Sequence, residues 1–398
     1  MTYRLAIVSP IAVAADGGGY VADVLWVRDL SEQVRHVRAL TLICPIAAPG
    51  QRLAAATAHL PEGIRVLDRK AAERDWQRAI GDAEVLQIPG GSGWSGAAPL
   101  RRAASAARAH GCKVVIGISS NRARTYRLNA KGPPVVRQLR GLLGSWSIRS
   151  AERDLTRRAD GAFVVGSGLL PQVHPRCPNV HVGIASWISA RELTADQPRW
   201  RGTATGDSSV RLCAAARLEA MKGVDLAVAA LAQLTTTEAK VDWQLEILGE
   251  GAEQAALAAQ IAALGLGARA RLLGTRAYPE AFFAFLSTQH FVLLTNRNDE
   301  QPRLLFDAIA RGCLPICPDA RAYLDLGVPP ELLYRQGSAA ALAEQIASLR
   351  ARSPAALDAT WQRLLQLAQK HGIESMHATR AAWIDGAVLG RRDRHTGS

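Results

Sequence analysis

Short apolar runs recur along this chain, each closed by a polar or glycine-rich loop: Arg4–Ser9, Ala39–Cys44, Val85–Ile88, Lys113–Ile118, Gly161–Val165 and Val180–Ile184. Runs that are apolar at successive positions, rather than at every second one, predict parallel strands buried on both faces. Between them lie stretches with helical spacing, among them Tyr20–Val37 and the alanine-rich Leu100–Ala109. Alternation at this length predicts βαβ units and a parallel sheet. The alternation then restarts. Strands are predicted at Val210–Ala215, Trp243–Leu248, Ala270–Gly274, Phe291–Leu294 and from Leu314, and helices at Asp225–Leu234, Glu253–Leu264 and Pro279–Leu286. Ser338–Leu389 reads as helices. Asp196–Ser208 (DQPRWRGTATGDS) has turn formers and no apolar period, and is read as an interdomain linker.

At 398 residues the chain exceeds one ordinary core, so two domains are expected. No apolar run reaches the roughly 18 residues of a membrane-crossing helix. Arg4 followed by LAIVSPIAVAA has the outline of a signal-peptide core, but Pro10 interrupts it and a loop follows at Asp16–Gly19, which favours a first strand. The formal net charge of +13 suits an anionic partner, whether nucleotide sugar, nucleic acid or membrane, without choosing among them. The six cysteines are too dispersed for a disulfide framework, and Cys313 and Cys317 lack the further ligands of a zinc site. Reduced, buried thiols are expected.

Open α/β sheets bind ligands at the carboxyl ends of their strands. Gly17-Gly18-Gly19 stands between the first strand and the predicted helix at 20–37, where glycines would suit a phosphate; a plain turn is the alternative. The spacing is not GxGxxG. Gly90–Trp94 and Ser119–Asn121 close two other strands, making Trp94, Ser119 and Asn121 candidates for a cleft wall.

The most basic region, 121–158, holds Arg122, Arg124, Arg127, Lys131, Arg137, Arg140, Arg149, Arg153, Arg157 and Arg158. Leu139, Leu142, Leu143 and Trp146 share one helical face, and Arg149, Arg153 and Arg157 form a stripe. Two readings stand. The segment lies on an anionic bilayer, or it packs its leucine face on the sheet and solvates its arginines. Gly141 and Gly144 weaken a single continuous helix.

Arg217–Gly223 (RLEAMKG) directly follows a strand. Two cations before a helix N-terminus would hold a diphosphate and stabilise a departing anion, although a pair of solvated cations is the plainer reading. Phe291–Pro318 reads as strand, acidic loop, helix, glycine and strand, with Pro302 at the first helical turn and Leu304, Leu305, Ala308 and Ile309 as its apolar face.

Taken in order, Arg217-x4-Lys222-Gly223, Leu248-Gly249-Glu250-Gly251, Leu273-Gly274-Thr275, and Asp299-Glu300-Gln301-Pro302 through Asp307-Ala308 to Gly312 and Pro315 resemble the donor domain of family 4-type (group 1) glycosyltransferases. The match covers about Val210–Asp319; the N-terminal glycine loop resembles the acceptor domain more loosely. The resemblance implies the α/β GT-B fold, two Rossmann-like domains with parallel sheets facing a central cleft. The domains would be an acceptor domain at 1–198, a donor domain at 199–375, and a C-terminal helix and tail at 376–398 packing back on the first.

It also implies transfer of a sugar, a hexose by expectation, from a nucleoside-diphosphate sugar to a hydroxyl of a glycan or lipid-linked acceptor in surface polysaccharide or glycolipid synthesis, with retained configuration. No metal or other cofactor is expected. Arg217 and Lys222 would bind the diphosphate. Gly249, Glu250, Thr275 and Arg276 would face base and ribose, with Gly18, Gly19, Pro302 and Leu304 also on the donor. The family's two glutamates fall on Asp299 and Asp307, the second on the ribose; Glu300, one residue off, is the other candidate for the donor sugar. The histidine that the family often carries after an N-terminal strand is replaced by Ser119-Ser120-Asn121. A non-catalytic nucleotide-sugar or glycan-binding homologue is the alternative. A nucleic-acid partner is not expected, since a recognition motif is missing and aromatics are 5% of residues, few for base stacking. The expected place is the cytoplasm, peripheral on the inner membrane face.

Overall fold

A computed structural model of the chain describes residues 3–48, 50–130, 132–194, 209–301 and 303–391. The linker expected at Asp196–Ser208 and the candidate Pro302 lie outside the described residues. There are two compact units. One runs to Ala185 and takes in the segment from Ile373; the other runs from Ser186 to Gly372. Among the described residues, no helix is long and apolar enough to cross a membrane.

The first unit is built on a parallel sheet in the order Val180–Gly183, Gly161–Val165, Lys113–Ile118, Val85–Pro89, Arg4–Val8, Ala39–Cys44, Ile64–Asp68. Both faces are covered, which is why the strands are continuously apolar. Ala6 and Val8 pack with Leu100, Ala103 and Leu155 on one side. Leu5 and Ile7 pack with Val27, Leu30, Ile384 and Val388 on the other. The C-terminal helix Ile373–Trp383 completes this unit, stacking Trp383 on His181 at 5.5 Å between ring centroids.

Two expectations for this unit are corrected. Gly17 and Gly18, with φ of 53° and 109°, form the two-residue turn of a hairpin from Ala14–Asp16 to Gly19–Asp23, which pairs onward with Thr57–His59. The helix expected from Tyr20 begins only at Val24, where Asp23 Oδ1 accepts from the Leu25 N–H at 2.8 Å. Gly18 and Gly19 therefore sit at a hairpin and not at a helix start, because pairing with a distant strand overrides local helical spacing.

The basic region forms Arg122–Leu128 and one unbroken helix, Pro134–Arg158. Its glycines are packing contacts: a Cβ at Gly144 would come within 2.0 Å of the Tyr126 ring. The buried face is Gly141, Ser145, Ile148, Ala151 and Leu155, so the leucine face is turned away from the sheet. The packing reading of that face is corrected; small side chains let this helix lie close to its neighbours.

The second unit has a parallel sheet in the order Ala270–Leu272, Asp242–Leu248, Ser209–Ala215, Phe291–Leu293, Leu314–Pro318, Leu333–Tyr334. Chain order reverses between Ser209–Ala215 and Phe291–Leu293. That reversal opens a crevice at the carboxyl ends of these two strands.

Candidate functional site

The loops at this crevice carry the sequence motifs. Residues 216–223 follow one central strand and lead into the helix Val224–Thr237; residues 294–301 follow the other, ahead of the helix Leu304–Ala310. Gly223 holds a left-handed φ of 65°, and a Cβ there would lie 2.2 Å from the Thr295 carbonyl oxygen. Glycine is thus required where the loops touch. Thr295 Oγ1 donates to the Lys222 carbonyl at 2.8 Å, and the Arg297 N–H donates to the Met221 carbonyl at 2.8 Å. The Arg297 guanidinium then bridges the Ala220 carbonyl (2.7 Å) and Asp225 Oδ2 (2.5 Å).

On the other side, the Leu218 N–H donates to the Glu250 carbonyl and the Glu253 N–H to the Leu218 carbonyl, both at 2.9 Å. The Gly249 N–H reaches the Gly274 carbonyl at 2.8 Å. The structure thus joins the 217–223, 249–251, 274 and 295–301 stretches through backbone bonds. Arg297 was missed in the sequence; an arginine inside an acidic strand-end loop was the available signal.

Lys222 Nζ lies 3.0 Å from Glu300 Oε2, and both side chains are largely buried, 19% and 11% exposed. Asp299 is directed elsewhere: its Oδ1 accepts from the Ala322 N–H at 2.8 Å, at the first turn of Arg321–Leu324. The adjacent acids are thereby separated, Glu300 toward the cation and Asp299 toward the neighbouring helix. Below the loop, the Tyr323 hydroxyl donates to Asn296 Oδ1 at 2.8 Å and the Tyr334 hydroxyl to the Leu294 carbonyl at 3.0 Å. Burial holds both phenols well above their ordinary pKa, so they remain neutral donors.

Asp307, in the first turn of its helix, is 3% exposed, and its Oδ1 accepts from the Tyr278 hydroxyl at 3.4 Å. The Tyr278 ring packs edge-on against Trp187, centroids 6.1 Å apart, and the Arg303 guanidinium lies 4.0 Å above that indole. Leu304 begins the same helix as Asp307. Arg217 is solvent-facing and held by Glu219 Oε1 at 2.6 Å, while Glu250, Thr275 and Arg276 are exposed at strand ends.

In the first unit, Asn121 is engaged as a helix cap, its Oδ1 accepting from the Arg124 N–H at 2.9 Å. Ser119 is exposed just after its strand. The Arg101 guanidinium sits 4.2 Å over the Trp94 ring, and the Trp94 N–H donates to Ser147 Oγ at 3.2 Å. Sequence reasoning gave no sign of Glu152. It is 1% exposed, and among the described residues neither carboxylate oxygen has a well-formed hydrogen bond. It lies beneath the loop after Val85–Pro89, where a Cβ on Gly90 would come 2.7 Å from Oε1. Burial pushes its carboxyl up to about 7, opposed by the Gly91 N–H and the Arg122 guanidinium.

Residues 202–359 match the family model described as glycosyl transferases group 1. No curated protein matches the chain. Among solved structures, a glycosyltransferase from Rickettsia africae aligns with a TM-score of 0.67 at 11% identity, covering 98% of this chain and 100% of its own. HepE of Anabaena in complex with UDP aligns at 0.64 with 14% identity, covering 96% and 100%. An α,α-trehalose-phosphate synthase (UDP-forming) from Burkholderia xenovorans in complex with glucose-6-phosphate aligns at 0.64 with 12% identity, again covering 96% and 100%. The chain therefore has the two-domain Rossmann-like GT-B fold, and its residues 202–359 are similar to group 1 glycosyl transferases, in line with the resemblance read from its motifs.

Proposed function

We propose that the chain transfers a hexosyl group from a nucleoside-diphosphate sugar to a hydroxyl of a glycan or lipid-linked acceptor, with retained configuration. The observation that carries this is Lys222, held at the switch point of the second sheet by a largely buried Glu300, in a loop that runs into a helix N-terminus. An ammonium and the positive end of the helix Val224–Thr237 suit a diphosphate. Arg217, exposed beside Glu219, is assigned to the outer phosphate oxygens. Their charge stabilises the leaving diphosphate as the glycosidic bond breaks, and no metal is required for that role. Glu300 is assigned to the donor sugar's hydroxyls, and the Asp307–Tyr278 pair to the ribose. The solved neighbours bound to UDP and to sugar ligands support such a donor.

The test is a thermal-shift screen with UDP, GDP and ADP sugars in the presence of a chelator, since a ligand that binds only the folded state raises its apparent stability. A selective shift, followed by transfer or hydrolysis of that donor, is expected. Binding with no turnover across an acceptor panel would instead establish the non-catalytic reading, which the capping role of Asp299 and the Ser119–Asn121 strand end favour. The proposed place of action is the cytoplasmic face of a membrane, with the chain bound peripherally.

A further inference from the structure

The helix Pro134–Arg158 has an inner face that packs and an outer face that has no reason to be apolar in water. Opposite Gly141, Ser145, Ile148 and Ala151, the side chains of Val135, Leu139, Leu142, Leu143 and Trp146 form one exposed stripe. Val135 is 78% exposed and Trp146 66%. Scattered exposed apolar residues are ordinary, but a contiguous stripe on the outer side of one helix marks an interaction surface. Residues 133–140 are exposed all round, so this end of the helix stands clear of the unit.

Charge selects the partner. From Asn121 to Ala151 the sequence contains arginines and Lys131 but no aspartate or glutamate. Arg140 flanks the stripe, Arg149 continues its face one turn beyond Trp146, Arg137 is exposed at the same end of the helix, and Arg124 is exposed on the preceding helix. A second copy of this segment would bring like charges together, and an ordinary protein surface would match only part of the field. An anionic lipid surface satisfies both features at once: leucine and tryptophan enter the headgroup boundary while guanidinium groups stay among the lipid phosphates.

We propose that this helix is the membrane-docking element of the chain, lying on an anionic bilayer with Val135, Leu139, Leu142, Leu143 and Trp146 inserted. The assignment deepens the functional reading by choosing a membrane-embedded, lipid-linked acceptor, and rests on that reading only for this choice. The stripe belongs to the unit that does not hold Lys222, so docking and donor binding can be measured separately.

The experiment is flotation of the full chain with vesicles of phosphatidylcholine alone or of equimolar phosphatidylcholine and phosphatidylglycerol, at low and high salt. Binding to the anionic vesicles, weakened by salt, is expected, with a blue shift of tryptophan emission that Trp146→Phe loses. Arg149→Gln should lower the partition coefficient about fivefold, as expected per basic residue near such a surface. Leu139→Asp combined with Trp146→Asp should abolish it. These side chains are exposed, so the variants should keep the native circular dichroism and the donor thermal shift. Failure to bind either vesicle overturns the proposal, as does salt-independent binding equal on both. So does a dimer in sedimentation that Leu139→Asp dissolves without any vesicle binding. A donor shift that is absent while vesicles still bind would sink the functional reading and leave this one standing.

Discussion

Lys222 Nζ and Glu300 Oε2 stand 3.0 Å apart across the two loops that flank the switch point of the second sheet. The contact joins residues 78 positions apart, and neither side chain is well solvated. Removing one member leaves a largely buried charge unpaired, which costs more than the pair itself contributes. Lys222→Ala should therefore lose about 1–3 kcal/mol of stability and also the donor-induced thermal shift. Glu300→Gln should keep the shift produced by the nucleoside diphosphate alone while losing the extra shift given by the sugar. A full diphosphate shift in Lys222→Ala, with the fold intact, would remove that residue from the site.

Gly223 is the hinge of the same contact. Alanine there must hold φ of 65° and place a Cβ 2.2 Å from the Thr295 carbonyl oxygen, so the loops must part. A loss on the order of 2–4 kcal/mol is expected, together with weaker donor binding. Gly267→Ala is the control, since a Cβ there would meet nothing within 4 Å and the backbone is unstrained. Chemical denaturation of both variants checks the difference; equal stabilities would show that the loops adjust freely.

Much of this arrangement is legible in the sequence because strands buried on both faces must be continuously apolar. Gly161–Val165 and Lys113–Ile118 are read to the residue for that reason. The hairpin at Ala14–Asp23 is not, since its short strands depend on Thr57–His59, far along the chain. Periodicity finds the stripe at Leu139–Trp146 but not the side on which it lies; the small residues opposite decide that. Likewise Asp299 and Glu300 are adjacent in sequence, and only the Ala322 N–H, 23 residues on, draws Asp299 out of the crevice.

The ribose assignment makes a separate prediction. The Tyr278 hydroxyl is a donor to Asp307 Oδ1, at 3.4 Å a long contact. Its removal should cost about 0.5–1.5 kcal/mol. If this pair holds a ribose hydroxyl, wild-type protein should prefer the ribonucleoside diphosphate over its 2′-deoxy form. Asp307→Asn should lose that preference, and Tyr278→Phe should weaken both ligands together. Calorimetric titration with the two diphosphates reads the discrimination directly, and an Asp307→Asn variant that still discriminates would place the ribose elsewhere.

Glu152 supplies a pH dependence independent of any ligand. Its carboxyl is raised to about 7 by burial, against an ordinary value near 4.5, with the Gly91 N–H and Arg122 acting the other way. Between those values the folded state holds a proton that the unfolded chain has released, so stability falls as pH rises through the window. Below it both states are protonated and no penalty exists; above it the penalty is constant. A shift of this size corresponds to a few kcal/mol, about 3 as an upper figure. Glu152→Gln keeps the shape and cannot ionise. Its melting temperature should therefore decline less than that of the wild type between about pH 4 and pH 8 (a range chosen to bracket about 4.5 to 7), and the two curves should lie closest in acid. Parallel curves would mean that Glu152 is already ionised and satisfied in the folded protein.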